Sequence, residues 1–500
     1  MHFSKSKYTS GVQCPKICWM QRHMPEQFNQ SVMNEEVLST GNIVGDLAMG
    51  YYGSYAEVPF NPGDPDRCQK AAAETKRLIA AGEKVICEAT FTLPGHYCMV
   101  DILRRREDDS FDVVEVKSST HMKDIYFHDM AYQCWLVEQC GYRVASASLM
   151  HLDNTYVRQG DLDLHGLFAA EDCTAKVREM MGSVASKVRA IAEVADANDE
   201  PAIPLGPHCF SPYECGFRPW CWRHLPSPNV FDIGNMSKKK GFSLMERGCT
   251  SFPDLLANPD AFDGLSVKQQ TQVLMEAKEL DPVIDRTEVK AFLESLTYPL
   301  YFLDFETFQE AVPAFDGQRP FEQITSQYSL HWVDDADGPL HHAEFLGEAG
   351  LDPQRSVAEH LCADIPRNVC VLAWNQGFEK GRIKHMAELF PDLAGHLMAI
   401  HGNIRDLAVP FQKGHYCTRE MGGSYSIKAV LPALFPDDPE LDYHRLEGVH
   451  NGGEASSAFQ HLANRTPAEQ TVIREQLLRY CELDTLAMVR IWEKLREVAE

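Results

Sequence analysis

Glu115 and Lys117, in the segment FDVVEVKSST (residues 111–120), carry the first chemistry that the sequence offers. Side chains alternate between the two faces of a strand, so these two share one face and the flanking valines share the other. Asp101 ends the preceding predicted strand, and Glu88 lies on the strand before that one. Carboxylates that meet at strand ends can hold Mg²⁺ or Mn²⁺, and a nearby lysine can orient water or neutralise a phosphorane. The E-x-K tripeptide alone favours a surface ion pair, whereas its combination with Asp101 favours a metal-dependent hydrolytic site.

A second pair of acids lies in the apolar segment YFLDFETF, where Asp304 and Glu306 share one face of a predicted strand. Paired carboxylates two residues apart on a strand suit two divalent ions. Near the C-terminus, Tyr480 and Asp484 in RYCELDT are four residues apart and therefore share one face of a predicted helix. We expect Asp484 to complete this metal site and Tyr480 to orient the attacking water.

Four cysteines form a third group. Cys14 lies in QCPKICW, and the segment HCFSPYECGFRPWC supplies Cys209, Cys215 and Cys221 with five residues in each gap. Regular spacing among proline, glycine and aromatic residues favours ligation over buried free thiols, which are otherwise common. Four thiolates suit either an iron–sulfur cluster or a zinc ion, although zinc sites usually contain closer cysteine pairs. Cys18 is an alternative to Cys14 as the fourth ligand.

The elements that must position these groups follow an α/β pattern. VICEATFTL, HYCMVDILRR and FDVVEVKSS read as antiparallel strands, followed by a helix in DMAYQCWLVEQC and a strand in YRVASASLMHL. Residues 240–296 are helical in pattern, a new strand begins near Tyr298, and a long helix ends the chain. We therefore predict an α/β fold with two mixed-sheet domains, residues 1–230 and 298–500, joined by a helical connector of residues 231–297.

Composition narrows the functional classes. With 500 residues, 44% hydrophobic and 24% charged, the chain has the make-up of a soluble multidomain protein. Its formal charge of −25 counts against a generally electropositive nucleic-acid binder but not against a nuclease with local basic residues. No signal peptide, membrane span or P-loop is predicted, and sixteen cysteines without an export signal indicate thiols or ligands. We expect a cytoplasmic protein that does not contact a membrane.

The first group resembles the RecB-type branch of the PD-(D/E)XK nucleases. Asp101 and Glu115-Val116-Lys117 match the motif after which that family is named, and Gln133 on the following helix matches the glutamine of the branch. The resemblance implies a restriction-endonuclease-like fold that cleaves DNA with Mg²⁺ or Mn²⁺. The branch often has a histidine where this chain has Gly45, with Asp46 as a candidate substitute.

The cysteines are similar to those of the iron–sulfur subset of RecB-type nucleases, in which one N-terminal cysteine and a C-terminal triplet bracket the nuclease fold. The resemblance implies a 4Fe–4S cluster on Cys14, Cys209, Cys215 and Cys221, with zinc as the alternative. Cys14 is preferred over Cys18 because it precedes the proline of the matching CP(K/R) motif. The triplet of that subset has a shorter first gap than the one found here.

The second group resembles the DEDDy exonucleases, which have an RNase H-like fold. Asp304 and Glu306 match the first motif, Tyr480 and Asp484 match the last, and WNQGFEK offers Glu379 where proofreading members have aspartate. The resemblance implies removal of 3′ nucleotides through two metal ions. It also places Asp406 and Lys428 near the substrate, although a helix cap and a surface lysine are the simpler interpretations of these two.

The whole chain also looks like a bacterial family of uncharacterised proteins that fuse the two modules. We therefore expect a metal-dependent phosphodiesterase that acts on nucleic acid, DNA in preference to RNA, in DNA repair or defence, with a separate helicase as a candidate partner. Its first module would use Glu88, Asp101, Glu115, Lys117 and Gln133. The alternative is a non-catalytic scaffold that binds nucleic acid and carries an iron–sulfur or zinc site beside degenerate nuclease sites.

Overall fold

The computed structural model describes residues 2–32, 35–278, 280 and 282–500. It confirms the predicted α/β class, with two mixed sheets and helices on their faces. The chain divides into two compact units. Unit 1 contains residues 1–224 and 310–322, and unit 2 contains residues 225–309 and 323–500. The whole of the predicted helical connector, from residue 231 to 297, therefore lies within unit 2.

Unit 1 is built on a six-stranded sheet with the strand order β1-β2-β3-β4-β5-β6, in which β4 and β5 run parallel and β2, β3 and β4 are antiparallel. Its strands are β1 Ala56–Glu57, β2 Val85–Leu93, β3 His96–Arg105, β4 Phe111–Lys117, β5 Val144–Leu152 and β6 Phe168–Asp172. Its helices are α1 Lys5–Gln13, α2 Pro15–His23, α3 Glu35–Met49, α4 Arg67–Ala81, α5 Asp124–Gln139, α6 Leu164–Leu167, α7 Thr174–Ala195 and α8 Arg218–Trp222.

Strand alternation decides what each face of this sheet carries. Val113 packs into the apolar core that includes residues of α4, α5 and α7, whereas Val114 packs into the core on the opposite face, which includes residues of α3. Glu115 lies two residues after Val113 on the strand, so its carboxylate points toward the same face of the sheet, which α1 and α5 cover. The side chain of Glu115 is fully buried. The predicted strand over residues 111–117 thus brings an acid into the interior of unit 1.

Unit 2 contains a five-stranded sheet with the strand order β10-β9-β8-β11-β12, with a parallel half formed by β8, β11 and β12. The strands of the unit are β7 Val283–Ile284, β8 Leu300–Phe308, β9 Ile324–Val333, β10 His341–Leu346, β11 Cys370–Ala373, β12 Ile404–Asp406 and β13 Tyr416–Cys417. Its helices are α9 Lys238–Glu246, α10 Phe252–Ala257, α11 Pro259–Asp263, α12 Val267–Lys278, α13 Arg286–Glu294, α14 Gln354–Asp364, α15 Gly377–Leu389, α16 Ala394–Asn403, α17 Val409–Gln412, α18 Ile427–Leu434, α19 Gly452–Gln460 and α20 Pro467–Ala499.

Helix α20 positions the C-terminal motif. It begins at a capping box, in which Thr466 and Glu469 satisfy each other's backbone N–H groups, and Pro467 occupies the first turn. Its buried residues include Leu477, Tyr480 and Asp484, spaced so that one face of the helix packs over the sheet. The apolar side chains of β8 alternate between the cores on the two faces of the sheet, so that Asp304 and Glu306 point to the face that α20 covers.

Within the described residues, every helix falls short of the length or the apolar character that crossing a bilayer requires.

Candidate active sites

Three carboxylates meet in unit 2 at the place predicted from their spacing. Asp304 and Glu306 come from β8, Asp484 comes from α20, and one oxygen of each lies within 4.8 Å of an oxygen of both others. The two strand residues share a face because they are two apart, and the helix that crosses this face adds the third acid. The predicted trio is therefore a single group in space, although the motifs are almost 180 residues apart in the chain.

Burial makes this group of acids costly unless a cation is bound. Burial and the neighbouring Asp484 raise the pKa of both Asp304 and Glu306 well above their ordinary values. Burial also raises the pKa of Asp484 to about 6, against the opposing effect of a hydrogen bond from Tyr443. Desolvated carboxylates that repel one another favour protonation, and a divalent cation relieves the same repulsion.

Glu379 contributes a fourth acid to the same cleft. Together with Asp304, Glu306 and Asp484 it lines a cavity beside β8, and burial raises its pKa to about 8. Among the described residues, its Oε2 atom is buried without a hydrogen-bond partner. A buried carboxylate oxygen in this condition is suited to a cation ligand.

The turn before Glu379 is held by Asp406. Asn375 adopts a left-handed backbone conformation with φ of 62°, and its N–H donates to Asp406 Oδ1 at 3.1 Å. The N–H groups of Gln376 and Ala408 donate to the same carboxylate at 3.3 and 3.0 Å. Asp406 thus holds the backbone of the turn that leads into α15, the helix that carries Glu379. It is not the helix cap of the simpler interpretation, because neither α15 nor α17 has a side-chain hydrogen bond at its N-cap.

Asp484 is held by two tyrosines beside a lysine. Tyr443 Oη donates to Asp484 Oδ1 at 2.5 Å, and a hydrogen bond from Tyr480 also lowers the pKa of Asp484. Lys428 Nζ donates to Tyr480 Oη at 3.1 Å and lies over the rings of both tyrosines. Burial raises the pKa of Tyr480 far above its usual value, so this phenol keeps its proton at neutral pH. Lys428 is exposed, as the simpler interpretation predicted, and it also lines the cleft.

The donor set of unit 2 fits hard divalent cations. Three carboxylates within 4.8 Å of one another, with a fourth in the same cavity, offer the oxygen ligands that Mg²⁺ and Mn²⁺ prefer. Lys428 supplies one positive charge against these four acids. The residues present therefore fit the ions that the sequence predicts here.

The predicted acids of unit 1 also meet, but a lysine lies between them. Lys5 Nζ on α1 donates to Asp101 Oδ1 at 3.1 Å and to the two oxygens of Glu115 at 3.1 and 3.2 Å. The second oxygen of Asp101 accepts the N–H of Val116 at 2.7 Å. Burial alone would lower the pKa of Lys5, but Asp101 and Glu115 raise it well above its ordinary value. The ammonium group thus bridges the two carboxylates that were predicted to share a metal ion.

Lys117 and Gln133 complete a hydrogen-bonded network around Glu115. Lys117 Nζ bonds Glu115 Oε1 and donates to Asp129 Oδ2 at 3.0 Å. Gln133 Nε2 donates to Glu115 Oε2 at 2.6 Å and to Asp129 Oδ1 at 3.1 Å. Burial would raise the pKa of Glu115, but Lys117 and Lys5 hold it well below its ordinary value. Together with Asp101 these side chains form a buried network in which two ammonium groups face three carboxylates.

Glu88 has both an unusual backbone conformation and a raised pKa. It has a φ of 55° inside β2, a conformation that is uncommon for a residue with a side chain. Burial and the nearby Asp101 raise its pKa to about 7. Glu88 is therefore close to the network electrostatically, as predicted. Asp46, the suggested substitute for a missing histidine, is exposed on α3.

The acids of unit 1 fit a divalent metal ion less well than those of unit 2. The groups of at least three potential ligands within 4.8 Å of one another include Asp304, Glu306 and Asp484, and among the described residues no such group contains Asp101 and Glu115. Lys5 Nζ already donates to oxygens of both acids. A metal ion bound between Asp101 and Glu115 would have to displace this ammonium group.

The four predicted cysteines come together at one end of unit 1. Cys14, Cys209, Cys215 and Cys221 line a single small cavity, whereas Cys18 is buried in the main core and its Sγ lies 3.5 Å from the carbonyl oxygen of Lys7. The site is formed by distant segments, because Gln13 Nε2 donates to the carbonyl oxygens of His208 and Tyr213 at 2.8 and 2.7 Å.

Backbone N–H groups point at two of these sulfurs. Burial raises the pKa of Cys14, and hydrogen bonds from the N–H groups of Lys16 and Ile17 oppose that effect at the start of α2. Burial likewise raises the pKa of Cys215 to about 11 against an N–H bond from Phe217. Such N–H groups stabilise thiolates and tune clusters bound to them. Among the described cysteines no three sulfurs lie within 4.8 Å of one another, whereas a tetrahedral zinc ion brings its sulfurs to about 3.8 Å.

Sequence reasoning missed three residues of these sites. Lys5 and Asp129 belong to the network of unit 1, and Tyr443 holds Asp484 in unit 2. Asp129 had a detectable signal, because it lies four residues before Gln133 and so shares its helix face. Lys5 and Tyr443 reach their partners only through the tertiary fold, so spacing gave no indication of them.

Comparisons with known proteins match part of the chain. Residues 301–426 match the model of a family described as "Domain of unknown function (DUF2779)", a range that contains Asp304, Glu306 and Glu379. An uncharacterized protein, UU173, of Ureaplasma parvum is 28% identical over 230 residues, which cover 42% of this chain and 32% of the relative. An uncharacterized MG366 homolog of Mycoplasma pneumoniae is 26% identical over 219 residues, which cover 40% and 33%. The chain thus spans about a third of the length of these curated relatives. No solved structure matches it.

Proposed function

We propose that this chain is a metal-dependent phosphodiesterase that acts on nucleic acid, with its hydrolytic centre in unit 2. The observation that carries the proposal is the group formed by Asp304, Glu306 and Asp484, whose carboxylates lie within 4.8 Å of one another in a cleft. Mg²⁺ or Mn²⁺ bound by these acids and Glu379 would supply hydroxide at neutral pH and stabilise charge on the phosphodiester.

The remaining side chains of the cleft act on the substrate and on the acids. Lys428 presents a positive charge to a phosphate, and the aromatic rings of Trp374, Phe378 and Tyr425 line the same cavity, where bases can stack on them. Tyr480 keeps its proton and donates a hydrogen bond to Asp484, whose carboxylate Tyr443 also fixes. Turned toward a nucleophilic water in the substrate complex, the same hydroxyl group would orient that water. The resemblance to DEDDy exonucleases favours stepwise removal of 3′ nucleotides, with DNA as the preferred substrate.

Unit 1 supports two candidate roles. In the first, Glu88, Asp101, Glu115, Lys117 and Gln133 form a second nuclease site that cleaves DNA. In the second, unit 1 binds nucleic acid without cleaving it, and its acids serve the fold. The ammonium group of Lys5 between Asp101 and Glu115 favours the second role, because it already compensates the charge that a metal ion would compensate.

The cysteine site supports a role in holding the ends of unit 1 together. We propose that Cys14, Cys209, Cys215 and Cys221 bind a 4Fe–4S cluster, because all four line one cavity and their sulfurs are too widely spaced for a zinc ion as they stand. Iron content and colour of anaerobically purified protein test this proposal. We expect Cys209→Ser to lose iron, and Cys18→Ser, which changes a buried thiol outside the cavity, to keep it. Bound zinc in place of iron contradicts the cluster.

A nuclease assay tests the proposed function. Purified protein is incubated with end-labelled single- and double-stranded DNA and RNA, with Mg²⁺, Mn²⁺ or EDTA. We expect metal-dependent release of nucleotides by the wild type and no release by Asp304→Asn. The matched control is Glu475→Gln, which removes an exposed acid from α20. Equal activity of Asp304→Asn and the wild type would refute a hydrolytic centre in unit 2, and inertness on all substrates would favour the scaffold.

A further inference from the structure

A row of polar side chains is buried between β9 and α20, on the strand next to the one that carries Asp304 and Glu306. Gln327, Ser329 and His331 alternate along β9 and face the helix, and each is less than 5% exposed. Gln327 Nε2 donates to the carbonyl oxygen of Leu477 at 2.9 Å. Buried polar groups are expensive to desolvate, so a strand that carries three of them under a helix calls for an explanation.

The next strand adds a second histidine to this row. His342 on β10 is paired in register with His331 on β9, and the centroids of their rings are 4.5 Å apart. Glu482 on α20 faces the same pair. One ligand atom from each of His331, His342 and Glu482 lies within 4.8 Å of the other two.

Hydrogen bonds prepare His331 to act as a ligand. The hydroxyl of Thr485 donates to the carbonyl oxygen of Glu482 at 3.1 Å, so its oxygen can accept the Nδ1–H of His331, which lies 2.8 Å away. This arrangement leaves the lone pair of His331 on Nε2. Burial and the neighbouring His342 lower the pKa of His331 to about 3, which keeps its imidazole neutral at physiological pH. A neutral, oriented imidazole is the form that binds metal ions.

We propose that His331, His342 and Glu482 form a binding site for a divalent transition-metal ion of the zinc class, separate from the acidic site. Two imidazoles and a carboxylate are typical ligands of Zn²⁺ and Co²⁺, whereas Mg²⁺ prefers oxygen ligands alone. Glu344 is a fourth donor close by, with Oε2 at 3.9 Å from His342 Nε2. One oxygen of Glu482 accepts a hydrogen bond from Arg479, whose side chain is 55% exposed, so a metal ion can compete with this surface pair.

A metal ion bound at this site would connect helix α20 to two strands of the sheet. Its ligands come from β9, β10 and α20, and α20 also carries Tyr480 and Asp484 of the acidic cleft. A metal ion held by all three elements fixes the helix on the sheet. Removal of the ion therefore loosens α20 and weakens the acidic site without removing any of its residues.

Binding of Zn²⁺ and Co²⁺ to the full chain tests the proposal. Mg²⁺ is present in excess so that it saturates the sites that have only oxygen ligands. We titrate Zn²⁺ against a chromogenic chelator and record the visible absorption of bound Co²⁺. The wild type is expected to bind one more equivalent than His342→Ala, with affinity at this site weakened at least about 100-fold by the loss of one ligand. Glu482→Gln is expected to show a comparable loss. Ions bound by the four cysteines of unit 1 contribute equally to every variant.

A neighbouring histidine provides the matched control. His341 precedes His342 on β10, faces the other side of the strand and stacks on Trp332, so His341→Ala should bind as the wild type does. His342 is exposed, and far-UV circular dichroism of His342→Ala should match the wild type without metal. Zn²⁺ should raise the thermal midpoint of the wild type and of His341→Ala but not that of His342→Ala. Equal binding by the wild type and either ligand variant overturns the site.

Discussion

Each of the two units buries a group of acids, and the negative charge of these two groups is compensated in different ways. In unit 1 the carboxylates of Asp101 and Glu115 are bridged by Lys5, and Lys117 adds a second ammonium group. In unit 2 the acids lie within 4.8 Å of one another, and Asp484 is held by neutral tyrosines, with Lys428 beside them. A buried group of acids thus requires a metal ion only where the protein does not supply enough cations of its own.

The pKa values of Glu115 and of the acids of unit 2 follow from the number of ammonium groups beside them. Two lysines hold the pKa of Glu115 below its ordinary value, although burial and the charge of Glu115 raise the pKa of Asp101 to about 6. In unit 2 burial raises the pKa values of all four acids, Asp304, Glu306, Asp484 and Glu379. A carboxyl group whose ionised form is already stabilised by lysines gains little further stability from a bound cation. One whose ionised form is destabilised by burial gains much. The same residue type in a similar motif therefore has different chemical capacities in the two units.

The largest expected effect is on catalysis. Asp484→Asn should lower metal-dependent nuclease activity on the order of 10³-fold, because the charge that holds the ions and stabilises the transition state is lost. Glu115→Gln in unit 1 should lower it far less. Rates of nucleotide release under single-turnover conditions measure both, with Glu475→Gln as the control. A larger loss in Glu115→Gln than in Asp484→Asn would reverse the assignment of the hydrolytic centre.

The second prediction removes the cation of unit 1. Lys5→Met should destabilise unit 1 by about 3 kcal/mol, because it leaves Asp101 and Glu115 buried with one ammonium group fewer. Hydrogen exchange of the amides of β3 and β4 reports this change locally, which avoids assuming two-state unfolding of a two-unit chain. Lys7→Met, an exposed lysine on the same helix, is the control.

The Lys5→Met variant also tests whether the ammonium group of Lys5 takes the place of a metal ion in unit 1. If Lys5 replaces the ion, Mg²⁺ should restore part of the lost protection in Lys5→Met and leave the wild type unchanged. Protection of the wild type that rises with Mg²⁺ in β3 and β4 would show that unit 1 binds metal despite Lys5.

The third prediction uses pH, because Glu379 of unit 2 and Glu115 of unit 1 should change the stability of the folded chain with opposite signs. Glu379 has its pKa raised to about 8 in the folded chain, from an ordinary value of 4.5. The folded metal-free protein therefore binds a proton more tightly than the unfolded chain, and this contribution to stability is lost as pH rises from 4.5 through 8. The lowered pKa of Glu115 acts in the other direction, since its contribution is lost as pH falls below its ordinary value.

Substitutions separate these two contributions. In EDTA, Glu379→Gln should be more stable than the wild type at pH 8 by about 2 kcal/mol and should differ little near pH 5. Thermal midpoints across this range measure the difference, and Glu388→Gln, an exposed acid on the same helix, is the control. An advantage of Glu379→Gln that shrinks as pH rises would contradict the raised pKa.

The parts of both sites that were predictable from sequence are those fixed by local periodicity. Asp304 and Glu306 share a face because strands repeat every two residues, and Tyr480 and Asp484 share a face because helices repeat every 3.6. Strands β2 to β5 of unit 1 and the long α20 were predicted for the same reason, since their apolar residues follow these periods. The α/β class follows from the order of such elements.

What could not be predicted depends on pairings between distant segments. Lys5 reaches Glu115 across 110 positions, and Tyr443 reaches Asp484 across 41. His331 faces His342 only because of the register of β9 and β10, which the turn between them sets. The charge balance of each site depends on such contacts. The sequence therefore indicated two similar acidic groups and could not distinguish the one that lysines compensate from the one whose acids are suited to a metal ion.

The smallest predicted effect concerns how each carboxylate is oriented. Tyr443 Oη donates a hydrogen bond to Asp484 Oδ1 at 2.5 Å, and Gln133 Nε2 donates one to Glu115 Oε2 at 2.6 Å. Tyr443→Phe should lower nuclease activity by about 10-fold, because a metal ligand that loses its supporting hydrogen bond binds its ion less well. Gln133→Leu should leave the activity unchanged and reduce the protection of β4 against hydrogen exchange, because Glu115 serves the fold. Excess Mn²⁺ should restore activity to Tyr443→Phe, whereas a misfolded cleft would not recover. Loss of activity in Gln133→Leu alone would show that orientation of the acid matters for catalysis in unit 1 and not in unit 2.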